Sequence, residues 1–338
     1  MKKYTLIIIL LILIISAASF LFIRYQNIPP TTQPLSPNKL EKINIGNIGE
    51  YSIFNIIAKE KGYFAKNGLE ANVIEYPSGP PAIAALLAGK VDVAVAADYV
   101  GVVNLFANPH LRIISQASKH KVFQLIARKD KGIQSPSDLK GKRIAVTRKS
   151  AGEYYLGLFL TFHNLSLNDV AIVDLPPAEI IKQLKSGQIP AAVIFDPHAY
   201  NLKKTMGDTA IEWSAQGDQS TFAVEYTTDT AINSNPDLIK RYILSLLDAE
   251  QYTNDHPAEA QMLIAKELHY DPDYVAYMWK NFIFSHGLEQ ELLLSMENQA
   301  RWIMDNHLTN KTQMPNYLNY IYFDSLQQLK PGAITIIH

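Results

Sequence analysis

The chain has 338 residues, of which 48% are hydrophobic and 19% charged, a composition typical of a folded globular protein. A formal net charge of −1 provides no basic field for nucleic acid and no acidic tail. The absence of cysteine excludes thiol nucleophiles, disulfides, iron–sulfur clusters and thiolate zinc sites. We therefore expect a small molecule or another protein as the partner, and no cofactor.

The N-terminus has the pattern of an export segment. Lys2 and Lys3 precede an uncharged run, Tyr4 to Ile23, that is long enough to cross a hydrocarbon core about 30 Å thick. We expect residues 1–26 to be a signal peptide or an uncleaved transmembrane anchor, and the proline-rich residues 27–40 to form an extended stalk. The folded part is therefore predicted to be periplasmic or otherwise extracytoplasmic, attached to the inner membrane by the uncleaved helix.

From Lys42 onward, strand-like runs alternate with helical runs, which is typical of an α/β fold with mostly parallel sheets. The predicted strands are Lys42–Gly46, Ala71–Tyr76, Val91–Ala96, Leu111–Ala117, Phe123–Arg128, Arg143–Thr147, Val170–Asp174, Ala191–Phe195 and Phe222–Thr228. The polar segment Lys129–Lys142 is the predicted passage between two lobes. After Thr228 the strands are expected to stop, and the pattern predicts helices at Pro236–Asn254, Pro257–Leu268, Asp271–Phe282 and Leu288–His307.

One pattern occurs twice. A helical run that ends at Gly89 and continues as an apolar strand to Asp98 has a counterpart that ends at Gly187 and continues to Asp196, at the same sequence interval. Glycine often terminates helices because it adopts the left-handed conformation without a Cβ penalty. The repetition predicts two lobes built from similar supersecondary units.

A resemblance to a known family is carried by the segments GYFAKNGLEANV, ALLAGKVDVAVAAD and SDLKGKRIAV, by the segment Leu167 to Pro197 and by the helical tail around NDHPAEAQMLIAKEL. In order and spacing, these segments resemble the extracytoplasmic solute-binding proteins of ABC importers, in the nitrate, sulfonate and taurine group. That group includes proteins similar to binders of the thiamine pyrimidine precursor. The resemblance covers about residues 41–335.

The resemblance implies a two-lobed periplasmic-binding-protein fold of type II with a C-terminal helical segment. We assign residues 41–128 and 228–338 to lobe 1 and residues 129–227 to lobe 2, joined by a hinge of two chain crossings. The implied partners are a small-molecule ligand, an ABC permease and its ATPase, and the protein is expected to be a monomer.

In open α/β sheets, ligands bind beyond the carboxyl ends of the strands, so the candidate ligand-binding residues are those that follow predicted strands. They are Glu50, Tyr51, Ser78, Gly79, Asp98, Tyr99, Arg148, Ser150, Ala151, Asp196, His198, Glu225 and Tyr226. The histidines lack metal-site spacing and no catalytic motif is present, so neither a metal site nor an enzyme is expected.

Two local patterns allow two interpretations each. The segment Arg148–Gly152 follows a strand and opens a helix, so its free backbone N–H groups can form an anion-binding site. Alternatively, Ser150 and Glu153 form a capping box that satisfies the same N–H groups. Asp98 and Asp196 each precede a helix, so each is either an N-cap or a carboxylate that faces the ligand.

The four carboxylates Glu50, Asp98, Asp196 and Glu225 disfavour a bare inorganic anion. They favour a sulfonate- or taurine-like zwitterion, or an amino-pyrimidine that stacks on tyrosine. We therefore expect the substrate-binding component of an ABC importer that captures a small polar organic solute by hinge closure. The alternative is a ligand-binding sensory ectodomain with a separate signalling partner. Enzymes on the same fold are disfavoured, because the pyrimidine-forming relatives use cysteine and histidine clusters.

Overall fold

The structure, a computed structural model, describes residues 40–337, whose strands form two separate sheets. The predicted signal or anchor, residues 1–26, and nearly all of the predicted stalk, residues 27–40, lie outside the described residues. Between Leu40 and Ile337, no helix is both long and apolar enough to span a membrane.

The strands alternate with helices along most of the described chain, as the sequence pattern predicts. In chain order the strands are β1 (Glu41–Asn47), β2 (Leu69–Glu75), β3 (Val93–Ala97), β4 (Leu111–His120), β5 (Phe123–Arg128), β6 (Arg143–Val146), β7 (Ala171–Asp174), β8 (Ala191–Phe195), β9 (Ala210–Ser214), β10 (Thr221–Thr228) and β11 (Phe282–Gly287). The helices are α1 (Ile53–Glu60), α2 (Tyr63–Lys66), α3 (Gly79–Leu87), α4 (Asp98–Leu105), α5 (Ala151–Phe162), α6 (Pro177–Ser186), α7 (His198–Met206), α8 (Asp229–Ser234), α9 (Pro236–Asp255), α10 (Pro257–Glu267), α11 (Pro272–Asn281), α12 (Gln290–Asp305) and α13 (Asp324–Leu329).

The first sheet has the strand order β11–β4–β10–β3–β1–β2. Strand β1 pairs in parallel with β2 and β3, whereas β10 runs antiparallel to β3 and β4. Strand β3, with the sequence VAVAA, is buried along its whole length. An apolar strand without alternation is expected where helices cover both faces of a sheet.

The second sheet has the order β7–β6–β8–β5–β9. Strand β6 pairs in parallel with β7 and β8, and β5 runs antiparallel to β8 and β9. The repeated pattern has one copy in each sheet: Gly89 and Gly187 have φ angles of 67° and 74°, and the strands that follow are β3 and β8. The predicted helix, glycine and strand are therefore present in both lobes.

Two predictions about the strands are wrong. Strand β11 lies after Thr228, where no strand was expected, because it completes the first sheet by pairing with β4. Strand β9 was not predicted, and it forms the edge of the second sheet beside β5. Both are edge strands, whose short and partly exposed sequences carry little periodic signal. The four C-terminal helices were predicted within a few residues of their observed ends.

The predicted lobe boundaries do not follow the sheets. Strand β5, assigned to lobe 1, pairs only with strands of the second sheet, and β10, assigned almost wholly to lobe 2, lies in the first sheet. The chain therefore crosses between the sheets at residues 121–122 and again at residues 215–220. The polar segment Lys129–Lys142 is instead a connection within the second lobe.

Candidate functional site

A cavity lies between the two sheets, at the carboxyl ends of the parallel strands β1, β2, β3, β6 and β8. Its empty volume is about 750 Å³, which includes the solvent at its mouth. The cavity is lined by Ile48, Gly49, Glu50, Tyr51, Tyr76, Pro77, Ser78, Gly79, Ala97, Val100, Phe123, Ser150, Ala151, Phe195, Pro197, His198 and Tyr270. Residues from both lobes border the same space, so movement of the lobes would change its shape.

The structure brings together only some of the predicted site residues. Those that line the cavity are Glu50, Tyr51, Ser78, Gly79, Ser150, Ala151 and His198. Those that do not line it are Asp98, Tyr99, Arg148, Asp196, Glu225 and Tyr226. A role in ligand binding stays a prediction for the first group.

Glu50 is a buried carboxyl group at the edge of the cavity. It lies in the single 3-10 turn, Gly49–Ser52, that follows β1. Its Oε2 atom accepts a hydrogen bond from the Tyr270 hydroxyl at 2.8 Å, and its buried Oε1 atom has no partner among residues 40–337. Burial raises the pKa of Glu50 to about 8, so the group is mostly protonated at neutral pH. It therefore offers a ligand one hydrogen-bond acceptor and one proton that it can donate or release.

Aromatic rings form much of the cavity wall. Tyr51 meets the ring of His120 edge-on, with centroids 4.3 Å apart. Phe195 lies 5.8 Å from Phe123 and 5.3 Å from His198. Burial lowers the pKa of His198, so its imidazole is neutral at physiological pH. The wall therefore suits an apolar or aromatic part of a ligand.

Two helix N-termini border the cavity, one in each lobe. Helix α3 begins at Gly79 after the N-cap residue Ser78, and helix α5 begins at Ala151 after Ser150. A Cβ atom on Gly79 would lie 3.0 Å from Val100 Cγ2, so a larger residue here would require the valine side chain to shift. The amides of a first helical turn have no partner within the helix, so the N-terminus of α5 can bind a negatively charged or carbonyl oxygen. Helix α3 offers fewer donors, because Pro80 and Pro81 in its first turn have no N–H.

Neither interpretation of the Arg148–Gly152 segment is confirmed in its predicted form. Arg148 does not line the cavity, and its guanidinium donates to Glu153 Oε1 at 3.0 Å. Ser150 Oγ donates to the carbonyl of Thr147 at 2.6 Å and caps no amide. Glu153 Oε2 accepts instead from the amide of Lys149 at 2.9 Å. The basic charge is thus neutralised by Glu153, and only the helix N-terminus borders the cavity.

Asp98 is neither an N-cap nor a cavity residue. Its Oδ2 atom accepts from Ser295 Oγ at 2.9 Å and Gln299 Nε2 at 2.7 Å, both on α12, and its Oδ1 atom accepts from Thr221 Oγ1 at 3.0 Å. The carboxylate therefore ties α4 to α12 and to the start of β10. This long-range contact has no local signal in the sequence.

Asp196 lies beside the cavity at the start of α7. It is not the N-cap residue that one interpretation predicts, but its Oδ1 atom accepts from the amide of Tyr200 at 3.0 Å and so stabilises the first turn of the helix from the preceding position. The helix begins at His198, with Pro197 as the N-cap residue. Burial raises the pKa of Asp196 to about 7.

Glu225 and Tyr226 are in the core of the first lobe because β10 is antiparallel. Ala223 pairs with Ala97, the last residue of β3, so the N-terminal end of β10 approaches the cavity and its later residues lead away from it. Glu225 Oε2 lies 3.5 Å from Nδ1 of His286, and burial raises its pKa to about 8.

Tyr99 is likewise buried away from the cavity. Its ring stacks on that of Tyr154 with centroids 5.6 Å apart and meets Trp302 edge-on at 6.1 Å. Because Tyr154 lies on α5 and Trp302 on α12, this aromatic cluster joins the two lobes behind the cavity.

Comparison with known proteins identifies the family. The family model described as NMT1/THI5 like matches residues 50–260, more than half of the chain. This chain belongs to the NMT1/THI5-like family. A Brucella abortus relative named as a binding protein is 29% identical over 237 residues, which is 68% of this chain and 72% of that protein. The taurine-binding periplasmic protein of Escherichia coli is 28% identical over 209 residues, covering 58% and 61% of the two chains.

Among solved structures, this NMT1/THI5-like protein is similar to the alkanesulfonate-binding protein SsuA of Xanthomonas axonopodis pv. citri, bound to MOPS. The TM-score is 0.74 at 19% identity, with 84% of this chain and 99% of that chain covered. The match confirms a periplasmic-binding-protein-like α/β fold with two sheets. These relatives are named as binding proteins, which agrees with the prediction that the chain is not an enzyme.

Several cavity residues of this NMT1/THI5-like chain were not predicted. Tyr76 and Pro77 directly follow β2, so the rule that ligands bind beyond parallel strands would have found them. Phe123 lies at the start of an antiparallel strand, and Tyr270 lies between two helices of the C-terminal part. Neither position has a sequence signal that connects it with the cavity.

Proposed function

We propose that this chain is the extracytoplasmic solute-binding component of an ABC importer. The family membership, the similarity to binding proteins and the cavity between the lobes support this function. The observation that carries it is a buried carboxyl group, Glu50, in a cavity whose aromatic walls come from both lobes. Such a site holds one orienting polar group among apolar contacts, as small-molecule sites usually do.

The best-supported ligand is a small organic molecule that carries an amine or a ring N–H beside a flat apolar part. A ligand N–H would satisfy the unpartnered Oε1 atom of Glu50. A cationic amine would also favour release of the Glu50 proton, since an adjacent positive charge lowers the pKa of a carboxyl group. The flat part would pack against Tyr51 and the phenylalanines of the second lobe.

A taurine-like zwitterion is the second candidate ligand. The names of the relatives favour it, and the N-terminus of α5, which borders the cavity, supplies amide donors for a sulfonate group. A bare inorganic anion is a poorer fit, because the cavity-lining residues of the described chain include no lysine or arginine.

The mechanism we propose is hinge closure. A ligand held by the first lobe gains contacts with the second lobe only when the lobes are closed, so it shifts the population toward the closed form. A permease that recognises this form would accept loaded protein selectively. The N-terminal segment would act as a membrane anchor that keeps a monomeric binding protein near its permease and raises its effective concentration.

A ligand screen by label-free thermal unfolding of the full-length chain tests this proposal. The panel contains the thiamine pyrimidine precursor, thiamine, simple amines, taurine, alkanesulfonates and nitrate. A ligand at a hundred times its dissociation constant stabilises the folded state by about 2.7 kcal/mol, which raises the unfolding midpoint clearly. We expect an amine or amino-pyrimidine to do so. Stabilisation by nitrate alone would contradict the proposed ligand class, and no stabilisation by any compound would contradict the proposed function.

The Glu50→Gln variant is the matched test of the site. It keeps the size of the side chain and removes its ability to ionise, so an amine should stabilise the protein less than it stabilises the unsubstituted chain. A sulfonate bound only at the helix N-termini should stabilise both proteins equally. The comparison therefore separates a ligand whose amine is recognised by Glu50 from one that is held only through its sulfonate group.

A further inference from the structure

The chain passes between the two sheets at two places, and one buried side chain joins them. The first crossing, residues 121–122, lies between β4 and β5, and the second crossing, residues 215–220, lies between β9 and β10. Gln216 lies in the second crossing and has an exposed fraction of 0%.

Both the oxygen and the nitrogen of the Gln216 side-chain amide form hydrogen bonds with backbone groups at the two crossings. Its Oε1 atom accepts from the amide N–H of Val122 at 2.6 Å and of Phe123 at 2.7 Å. Its Nε2 atom donates to the carbonyl of His120 at 3.3 Å and of Gln219 at 3.1 Å. A carboxamide offers both an acceptor and donors in one plane, which matches this arrangement of backbone groups.

The backbone that Gln216 holds leads directly into the cavity. Phe123 lines the cavity, and its ring packs 5.2 Å from that of Tyr155 and 5.8 Å from that of Phe195. We propose that Gln216 is the positioning residue of the hinge. It restricts the angle between the lobes and holds Phe123 against the ligand. This role rests on the proposed solute-binding function, but it predicts behaviour of the ligand-free protein as well.

The second crossing has attachments of its own. Tyr154 donates to Gln219 Oε1 at 3.2 Å, and Tyr155 donates to the carbonyl of Ser220 at 3.1 Å. Both tyrosines lie on α5 of the second lobe. Loss of the Gln216 amide would leave the first crossing held only by weaker attachments, the bond from the Asp196 amide to the Val122 carbonyl at 3.1 Å and the exposed Lys121–Asp218 pair, while the second stays attached. The lobes would then rotate over a wider range.

Pulsed electron paramagnetic resonance on the full-length chain tests this role. The chain has no cysteine, so Ala84→Cys on α3 and Ala178→Cys on α6 create a unique pair of spin-label sites, both exposed and one in each lobe. We expect Gln216→Met to widen the distribution of distances between the labels roughly twofold. Gln216→Glu should widen it less than Gln216→Met, because its oxygen still accepts from the amides of the first crossing although the two donated hydrogen bonds are lost.

Asn55→Leu is the matched control. Asn55 is also a buried amide, but its partners Asn47 and Tyr242 lie in the same lobe. This variant should lower the unfolding temperature and leave the width unchanged. A Gln216→Met distribution as narrow as that of the unsubstituted protein would overturn the proposal.

Hydrogen exchange of the unsubstituted protein provides a test that no folding defect can obscure. The amides of Val122 and Phe123 should exchange at least about a hundredfold more slowly than free peptide. Exchange of both amides at the free-peptide rate would overturn the role of Gln216. Because these measurements use no ligand, failure of the ligand screen would leave them interpretable.

Discussion

Tyr270 donates its hydroxyl hydrogen to Glu50, with Oη 2.8 Å from Oε2, and this bond joins the C-terminal part of the chain to the turn after β1. The Tyr270 ring also meets Tyr274 edge-on at 5.2 Å, and Tyr274 lies 5.2 Å from Tyr200 on α7 of the second lobe. A row of tyrosines therefore connects the buried carboxyl group of the cavity with the opposite lobe.

Tyr270→Phe should weaken ligand binding and lower stability. The change leaves Glu50 Oε2 without its donor, and a buried polar atom without a partner costs about 1–3 kcal/mol. It should also raise the pKa of Glu50 further, since the tyrosine hydroxyl lowers it. Chemical denaturation and the ligand-induced thermal shift measure the two effects. Tyr274→Phe is the control, because its buried hydroxyl has no partner within residues 40–337 and its loss should cost little. Equal effects of the two variants would contradict this account.

Stability should fall as the pH rises from 6.5 to 8. Burial raises the pKa of Glu50 and of Glu225 to about 8, above the ordinary value of 4.5. A raised carboxyl pKa means that the folded state holds the proton more tightly. The stabilisation that each carboxyl group contributes is therefore complete below its pKa in the unfolded state. It is lost as the pH rises to its pKa in the folded state. Each such group contributes a slope of up to about 1.4 kcal/mol per pH unit.

The buried histidines do not oppose this trend above pH 6.5. Burial lowers the pKa of His120 and of His286 from 6.5 to about 3. Their protonation therefore changes stability only between about pH 3 and pH 6.5. Urea unfolding at several pH values measures the slope, and Glu225→Gln should reduce it. A free energy of unfolding that rises between pH 6.5 and 8 would be inconsistent with protonated buried carboxyl groups.

Gly157→Ala should destabilise the contact between α5 and α12. A Cβ atom at this position would lie 2.2 Å from Trp302 Cζ2, so the indole must move. Overpacking of this kind costs roughly 1–3 kcal/mol. Trp302→Leu in the same chain removes the clash, and the double variant should recover part of the lost stability. Additive losses in a double-mutant cycle would show that the two residues do not interact.

Tyr200→Ala should destabilise the closed form more than Lys204→Gln, which removes the neighbouring Lys204–Asp271 ion pair. The Tyr200 ring contacts Tyr274 and Tyr277 of α11 across the lobes, at 5.2 and 5.4 Å. The Lys204–Asp271 pair, at 3.2 Å, is largely exposed, and such pairs contribute about 0–1 kcal/mol. We expect ligand dissociation to become faster in Tyr200→Ala and to change little in Lys204→Gln. Stopped-flow measurements compare the rates, and the opposite order would contradict the interpretation.

The sequence predicted local elements better than their long-range pairing. Strands β3 and β8 were predicted from their apolar runs and from the glycines before them, because these signals act within a few residues. Sheet membership of β5 and β10 was wrong because it depends on hydrogen bonds to strands distant in sequence. The glycine, proline and polar residues that mark turns between strands do not indicate which sheet a strand joins.

The same limit applies to the site. Residues after parallel strands, such as Glu50 and Ser78, do line the cavity, since those strand ends meet at one edge. Glu225 followed the same sequence rule and was misplaced, because the rule does not hold for an antiparallel strand. Tyr270 reaches Glu50 only through the packing of the C-terminal helices, which no local pattern reports.

Calorimetric titration of the thiamine pyrimidine precursor and of taurine into the unsubstituted protein and Glu50→Gln tests the central claim most directly. We predict that at least one of these amine-bearing ligands binds the unsubstituted protein and binds Glu50→Gln roughly 10- to 100-fold more weakly, as expected for loss of one hydrogen bond to a charged group. Equal affinity of the two proteins for every ligand that binds would show that Glu50 does not recognise the solute, and would contradict the account.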